Sequence, residues 1–318
     1  MKLLITGGAG FIGSAFIRMW HREHPDDHIV NLDALTYAAN LNALEEVSKS
    51  DNYTFIEGDI TDPATVEKAM QDVDKVIHFA AESHVDRSIT GPAAFIHTNV
   101  VGTQVLLDAA RAAGVSHFHH ISTDEVFGDL SLEGDEKFSE ETPYHPHSPY
   151  SASKAASDHL VRAYYRTYTL PVTVSNCTNN YGAWQHPEKL IPTMIGKALR
   201  DEPLPVYGKG ANIRDWIHVD DHCRGVALVL EKGTIGETYC FGGNAERTNM
   251  QVVKEILKSM KKDENLISFV EDRAGHDLRY AVDSRKAEKE LGWDRTYSFE
   301  TGLAQTIEWY MQHQEIFS

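Results

Sequence analysis

Cysteine is scarce: Cys177, Cys223 and Cys240 are scattered over 318 residues, which excludes a disulfide framework and a cysteine-based metal site. No apolar run approaches the roughly 20 residues that a membrane-spanning helix needs. Positive charge is in deficit, with 30 Lys and Arg against 47 Asp and Glu and a formal net charge of −17. Such a chain repels nucleic acid and, at long range, anionic substrates, although a local basic pocket can override that repulsion. The start, Met1-Lys-Leu-Leu-Ile-Thr-Gly7, turns into glycine after one short strand and lacks the apolar core and cleavage site of a signal peptide. Secretion is therefore not expected, and a cytoplasmic protein is. Internal repeats, low-complexity tracts and long linkers are also missing.

What is present fits a soluble globular protein, 42% hydrophobic and 24% charged. The length exceeds one typical domain, so a large domain with a smaller partner is expected. Lys2 to Thr6 reads as an apolar strand, followed by Gly7-Gly-Ala-Gly10-Phe11-Ile12-Gly13 and a helix to about His24. Glycines in such a turn let the backbone approach a pyrophosphate, which then meets the positive end of the helix dipole. A second strand, His28 to Leu32, leads to Asp33, twenty residues past Gly13. A dinucleotide-binding fold puts a carboxylate there to hold the adenine ribose hydroxyls, and its charge favours NAD over NADP. Strand-like runs at Tyr53 to Glu57, Val76 to Ala80, Phe118 to Ser122 and Pro171 to Ser175 alternate with helical stretches near Pro63 to Gln71 and Ala94 to Ala113. This rhythm predicts a Rossmann-like α/β fold, a doubly wound parallel sheet with right-handed crossovers. Asp59-Ile60 and Ala80-Ala-Glu-Ser83-His84 follow strands and would line the same sheet edge.

Beyond Tyr181 proline and glycine punctuate the chain, and the rhythm breaks. Residues 1–180 are expected to form the cofactor domain, with returns of the chain near 213–240. Residues 181–318 are expected to form a discontinuous, smaller mixed α/β domain for substrate. Its polar stretches, Glu188-Lys189, Arg214 to Asp220, Asn249 and Asp272 to Arg279, would suit a diphosphate. His117, His119 and His120 alternate faces in a strand and offer no metal set, so structural roles and no metal are expected.

Two motifs carry chemistry. Ser148-Pro149 reads as an N-cap followed by proline in the first helical turn, which puts Tyr150 and Lys154 four apart on one helix face. A phenol is a poor base near neutrality, and Lys154 is placed to supply part of the charge that lowers its pKa. Thr123-Asp124-Glu125 stands where the preceding strand should end. Adjacent strand residues face opposite ways, so both carboxylates reach one ligand only if the backbone bends there. Tyr-x-x-x-Lys alone is more often an ordinary surface pair; the glycine turn, Asp33 and the Asp-Glu pair together argue otherwise.

With these residues in hand, the chain resembles the extended short-chain dehydrogenase/reductase family, and within it the sugar-nucleotide 4,6-dehydratases. The likeness runs through Ala81 to Ser88, Thr123 to Gly128, Tyr150 to Lys154, Asn179 to Gly182, Pro187 to Pro192 and Asp272 to His276. It implies NAD as cofactor and dTDP-glucose as substrate. Thr123, Tyr150 and Lys154 would serve oxidation at C4, with Asp124 the acid and Glu125 the base of water elimination. Besides Gly7, Gly10 and Gly13, it implies cofactor contacts at Phe11, Ile12, Asp33, Thr36, Asp59, Ile60, Ala80, Ser83, Thr98, Tyr150, Lys154 and Asn180. Substrate contacts are implied at His84, Thr123, Asn179, Lys189, Leu190, Tyr207, Arg214, Asn249, Asp272 and His276. It further implies a homodimer packed through helices near Ala94 to Ala113 and Tyr150 to Tyr168. Asn176 and Ala183 depart from the common pattern, Arg and Pro, and bear on pocket shape. Another nucleoside diphosphate sugar as substrate, a 4-epimerase, and a non-catalytic NAD-binding module are the alternatives.

Overall fold

The computed structural model describes residues 1–272 and 277–317. Twelve strands are distinguished among them: β1 (Lys2–Thr6), β2 (His28–Asp33), β3 (Tyr53–Glu57), β4 (Lys75–His78), β5 (His117–Thr123), β6 (Val172–Cys177), β7 (Asn179–Tyr181), β8 (Leu204–Tyr207), β9 (Ile213–His218), β10 (Thr238–Phe241), β11 (Glu246–Thr248) and β12 (Ile267–Val270). Seven form one parallel sheet in the order β10-β6-β5-β4-β1-β2-β3. The chain winds outward from β1 to β3, then restarts at β4 on the other side of β1. That reversal opens a crevice at the carboxyl ends of β1 and β4, where open α/β sheets bind ligands.

Both sheet faces are buried, so the central strands read as runs without polar alternation. All seven residues of β5 are buried. Two of its histidines meet the neighbouring strand: His117 Nε2 and His119 Nδ1 each lie 2.7 Å from Thr173 Oγ1, and His119 Nε2 lies 3.1 Å from Ser175 Oγ. One apolar layer packs Leu4, Val76, Phe118 and Val174 under Leu106, Leu107 and Val161 of the helices Thr103–Ala113 and Pro149–Tyr168. The opposite layer packs Leu3, Ile5 and Ile77 against Phe16, Ile17 and Trp20 of the helix Phe11–Glu23 and Val226 of the helix Val219–Lys232.

Two smaller sheets, β11-β9-β7 and β12-β8, build the remaining part around Tyr181, Ile195, Trp216, Val253 and Leu303. Asn179–Tyr181, which follows the strand read from Pro171 to Ser175, is itself a strand, pairing in parallel with β9 through Asn179–Trp216 and Tyr181–His218. The stretch Ala94 to Ala113, expected as one helix, is corrected. It consists of an α-turn Pro92–Phe95, a π-helical segment Ile96–Gly102 and the α-helix Thr103–Ala113. Two side-chain facts account for the widened turn. Asn99 is buried and exchanges hydrogen bonds with both backbone groups of Glu82, at 2.8 and 3.0 Å. Gly102 presses on Ile60, whose Cδ1 would stand 2.6 Å from a Cβ at that position. Insertions of this kind concentrate at functional sites, and Thr98 here lines the main cavity.

Candidate active site

A cavity of about 350 Å³ follows the carboxyl edge of the large sheet. Its walls include every expected cofactor residue: Gly7, Gly10, Phe11, Ile12, Gly13, Asp33, Thr36, Asp59, Ile60, Ala80, Ser83, Thr98, Tyr150, Lys154 and Asn180. The glycine turn is packed without room for side chains. A Cβ on Gly7 would fall 2.6 Å from Ala80 N, and one on Gly13 would fall 2.3 Å from Gly7 O. Gly10 caps the helix Phe11–Glu23 without a side-chain hydrogen bond, so the first turn offers its N–H groups and dipole to an anion. Asp33 stands at the far end, where Oδ2 accepts from Ala9 N and Oδ1 from Leu35 N, both at 2.9 Å. The residues present thus fit a dinucleotide: a bare backbone cradle for the diphosphate and a carboxylate for a ribose.

Opposite the cradle, Ser148 caps the helix Pro149–Tyr168 through a reciprocal capping box with Ser151. Tyr150 and Lys154 follow on its buried face, as the spacing predicted. The charge relation between them differs from the expectation. Burial pushes the Tyr150 phenol well up, and Glu125 adds to the effect. Lys154 Nζ instead donates to Ile121 O at 2.8 Å and lies 3.4 Å from His120 Nε2. Burial lowers its own pKa.

The expected bend follows β5 directly. Thr123 is the last strand residue and caps a 3₁₀ turn, Asp124–Phe127, by accepting from Glu125 N at 3.2 Å. The turn points both carboxylates into the cavity. Their surroundings differ: Asp124 is 2% exposed, and Glu125 is half-buried. Thr123 Oγ1 donates to Asp124 Oδ1 at 3.2 Å, and Oδ2 has no hydrogen-bond partner. Burial first, and the neighbouring Glu125 second, raise Asp124 well above the usual carboxylate range. Burial thus biases it toward the protonated form that an acid needs, the same division of labour between two carboxylates that environment imposes elsewhere.

A second cavity, about 340 Å³, meets the first at Ser83, Glu125, Asn179, Asn180, Gln185, Glu188 and Lys189. It is lined by the expected His84, Asn179, Lys189, Leu190, Tyr207, Arg214 and Asn249. Arg214 is buried; its guanidinium donates to the carbonyls of Ile213 and Asp277 at 2.8 and 2.9 Å and lies 4.3 Å from the Tyr280 ring centre. Thr123 lines only the first cavity. Asp272 lines neither. It follows β12 and faces the turn at Gly208, where a Cβ would come 2.9 Å from its Oδ2. His276 lies outside the described residues.

Other lining residues were read without an individual role or not read at all. Glu188, from a stretch expected to suit a diphosphate, joins both cavities, accepting from Tyr37 OH at 3.3 Å and standing 3.5 Å from His84 Nε2. Asp277 lies in the other such stretch, Tyr280 just beyond it, and Ser148 was read only as a cap. Nothing in local spacing marks these positions; they meet through tertiary contacts.

Known proteins fit this geometry. A family model described as GDP-mannose 4,6 dehydratase matches residues 4–306. The chain belongs to the GDP-mannose 4,6 dehydratase family. Among curated relatives of this family member, the dTDP-glucose 4,6-dehydratase of Haemophilus influenzae is 51% identical over 98% of each chain. Among solved structures, a dTDP-glucose 4,6-dehydratase of Streptomyces venezuelae with NAD bound superposes with a TM-score of 0.96, 48% identity and 99% and 98% coverage. A UDP-glucuronic acid 4-epimerase of Bacillus cereus, in complex with UDP-glucuronic acid and NAD, reaches a TM-score of 0.93 at 28% identity, covering 98% and 100%. Dehydratase and epimerase thus share the fold, and the residues around the sugar must separate them.

Proposed function

We infer that this chain converts dTDP-glucose to its 4-keto-6-deoxy product by an NAD-dependent 4,6-dehydration. The observation that carries the reading is the placement of two acid–base sets, Tyr150/Lys154 and Asp124/Glu125, on one cavity that also holds the glycine cradle. When bound, NAD supplies a two-electron acceptor that takes the hydrogen from C4 and gives it back at C6. Tyr150 takes the C4 hydroxyl proton, with Thr123 orienting that hydroxyl and Lys154 supplying positive charge. The C4 ketone makes the C5 proton removable, and Glu125 takes it. Asp124, already protonated, gives its proton to the C6 hydroxyl, which leaves as water. Glu125 then returns a proton to C5.

Substrate recognition falls to the second cavity. Arg214 and Lys189 would hold the diphosphate, and His84, Leu190, Tyr207, Asn179 and Asn249 the rest of the nucleotide and sugar. Residues 1–180 with the returns near 213–240 form the NAD part, and 181–318 the sugar-nucleotide part, although β9 within that return pairs in a smaller sheet. Support comes from β10, which completes the large sheet, and from the helix Val219–Lys232, which packs on it. A cytoplasmic homodimer is the accompanying reading. Exposed Ile96, Val101 and Tyr168, each 39% exposed or more, fall on the segments expected to pair; sedimentation at micromolar concentration should give a single dimeric species.

The decisive experiment is isotopic. Substrate deuterated at C4 should yield product deuterated at C6, and heavy water should label C5. Glu125→Gln should still oxidise C4 while losing elimination by about 10²–10⁴-fold. Label retained at C4, or reduced cofactor released in proportion to product, would mean an epimerase or a simple dehydrogenase.

A further inference from the structure

The helix that carries Tyr150 and Lys154 holds another ionisable group one turn further on. Asp158 is fully buried, as is His120 of the adjoining β5. A charge sealed from water persists only where other groups compensate it. For Asp158 they do: Ser122 Oγ and Tyr144 OH each donate to Oδ2 at 2.8 Å, and His120 Nε2 stands 3.2 Å from Oδ1. The same Nε2 lies 3.4 Å from Lys154 Nζ. His120 Nδ1 has no partner, so we assign the ring proton to Nε2, since a buried lone pair left bare is better tolerated than a buried N–H. The imidazole then stands as the spacer between carboxylate and ammonium, at ion-pair distance from Asp158 Oδ1 and 3.3 Å from Ser157 Oγ. Outside this set, Arg162 donates to Tyr144 OH at 2.8 Å.

We propose that Asp158 and His120 are positioning residues for the redox step: together they keep Lys154 an ammonium and fix its nitrogen beneath the Ile121 carbonyl. The proposal rests on the reading that Tyr150 and Lys154 carry the oxidation. Other groups facing Lys154 do not replace Asp158. From β4, His78 packs 5.1 Å from the His120 ring and is kept neutral by burial. From β6, the Cys177 thiol is pushed up to about 12 by burial and is neutral too. Past β5, burial biases Asp124 toward its protonated form, and Glu125 is only half-buried, where the two cavities meet. On its own helix Tyr150 and Asp158 are the ionisable groups one turn away, and Ser157 Oγ lies 3.3 Å from His120 Nε2. Asp158 is the carboxylate that acts most strongly in favour of the charged lysine, against the desolvation that opposes it.

The sign of the effect follows. Removing the Asp158 charge makes the ammonium less favourable, so Lys154 is neutral over more of the pH range. Tyr150 then loses its cationic neighbour, and the acidic limb of the oxidation moves to higher pH. The test is single-turnover cofactor reduction by dTDP-glucose, measured by absorbance per bound NAD, across pH. For Asp158→Asn the rate at pH 7 should fall roughly 10- to 100-fold, at the low end of acid–base effects, with the limb raised by about one unit. Substrate affinity should stay within about twofold. His120→Phe should act in the same direction and His120→Gln recover part of the loss, since its amide can donate to Asp158. If Asp158→Asn does not fold, His120→Phe carries the test. A purely structural role would lower the folded fraction and leave the pH profile per bound NAD in place, and that result overturns the proposal. Lys154→Ala is run alongside. If it reduces cofactor normally, the redox reading itself fails, whatever Asp158 does.

Discussion

The two halves of the cleft are built in different ways. The cofactor half is one sheet edge, where consecutive strand-to-helix turns present backbone and small residues: Gly7 to Gly13 after β1, Asp33 after β2, Asp59 and Ile60 after β3, and Ala80 to Ser83 after β4. The substrate half collects single side chains from many segments: His84, Ser148, Lys189, Tyr207, Arg214, Asn249 and Tyr280. A backbone edge tolerates little variation, because almost any added Cβ collides; a side-chain pocket can be retuned one residue at a time. The near-equal superposition on a dehydratase and on a 4-epimerase at 28% identity follows that pattern. Glu125, Asn179 and Glu188 lie on the seam.

Acid should act first on the cofactor half, and this is the largest effect expected. His117 and His120 of β5 are lowered to about 4, and His222 to about 3, chiefly by burial. Their folded pKa values lie below the unfolded value of about 6.5. The unfolded chain therefore binds more protons, and stability present above about pH 6.5 is lost as pH falls toward 4. Each contributes at most roughly 3 to 5 kcal/mol, His222 the most. Asp33, Asp124 and Asp215, raised by burial, pull the other way. Urea midpoints at pH 7, 5.5 and 4.5 should decrease steadily, with hydrogen exchange rising earliest in β5 and β6. A flat midpoint would deny that these rings are buried and neutral.

Next come the redox residues, which line the cofactor half. Tyr150→Phe and Lys154→Ala should each lose cofactor reduction by about 10²–10⁴-fold while still binding NAD and sugar nucleotide. Normal reduction by either variant removes that residue from the redox step. Arg214→Ala should separate the halves more cleanly. Losing one charged hydrogen-bonding group to a diphosphate weakens sugar-nucleotide binding by roughly 10- to 100-fold, with NAD affinity unchanged. Calorimetry on both ligands checks it, and a parallel loss of NAD affinity would mean that the two halves do not act independently. The smallest effect should be Asp33→Asn. One charged contact to a ribose is worth about tenfold in NAD affinity, and the preference over NADP should narrow while sugar-nucleotide binding holds. Tighter NADP than NAD binding by the unaltered protein would remove Asp33 from cofactor choice.

Legibility in the sequence follows the same division. The alternation of apolar runs with helical stretches, Gly7 to Gly13, Asp33 and the Ser148-Pro149-Tyr150…Lys154 spacing are local patterns, and each lies close to where the pattern put it. So does the bend after Thr123, because two adjacent carboxylates cannot share a ligand from a straight strand. Less legible was the π-helical break at Ile96–Gly102, which depends on Asn99 reaching Glu82 and on Gly102 meeting Ile60. The assignment of Asn179–Tyr181 to a strand needed β9 as its partner, about 35 residues later.

The sequence by itself determined the winding of the sheet, the cradle and the pairing of Tyr150 with Lys154, because helix and strand periods act over a few residues and leave their mark in spacing. Tertiary structure alone decided which charges those groups carry. Asp124 keeps a proton because the fold removes its water and sets Glu125 beside it, while Lys154 answers to a carbonyl, an imidazole and Asp158 rather than to the phenol one turn away. Desolvation and long-range partners set a pKa, and neither is written in the spacing of neighbouring residues.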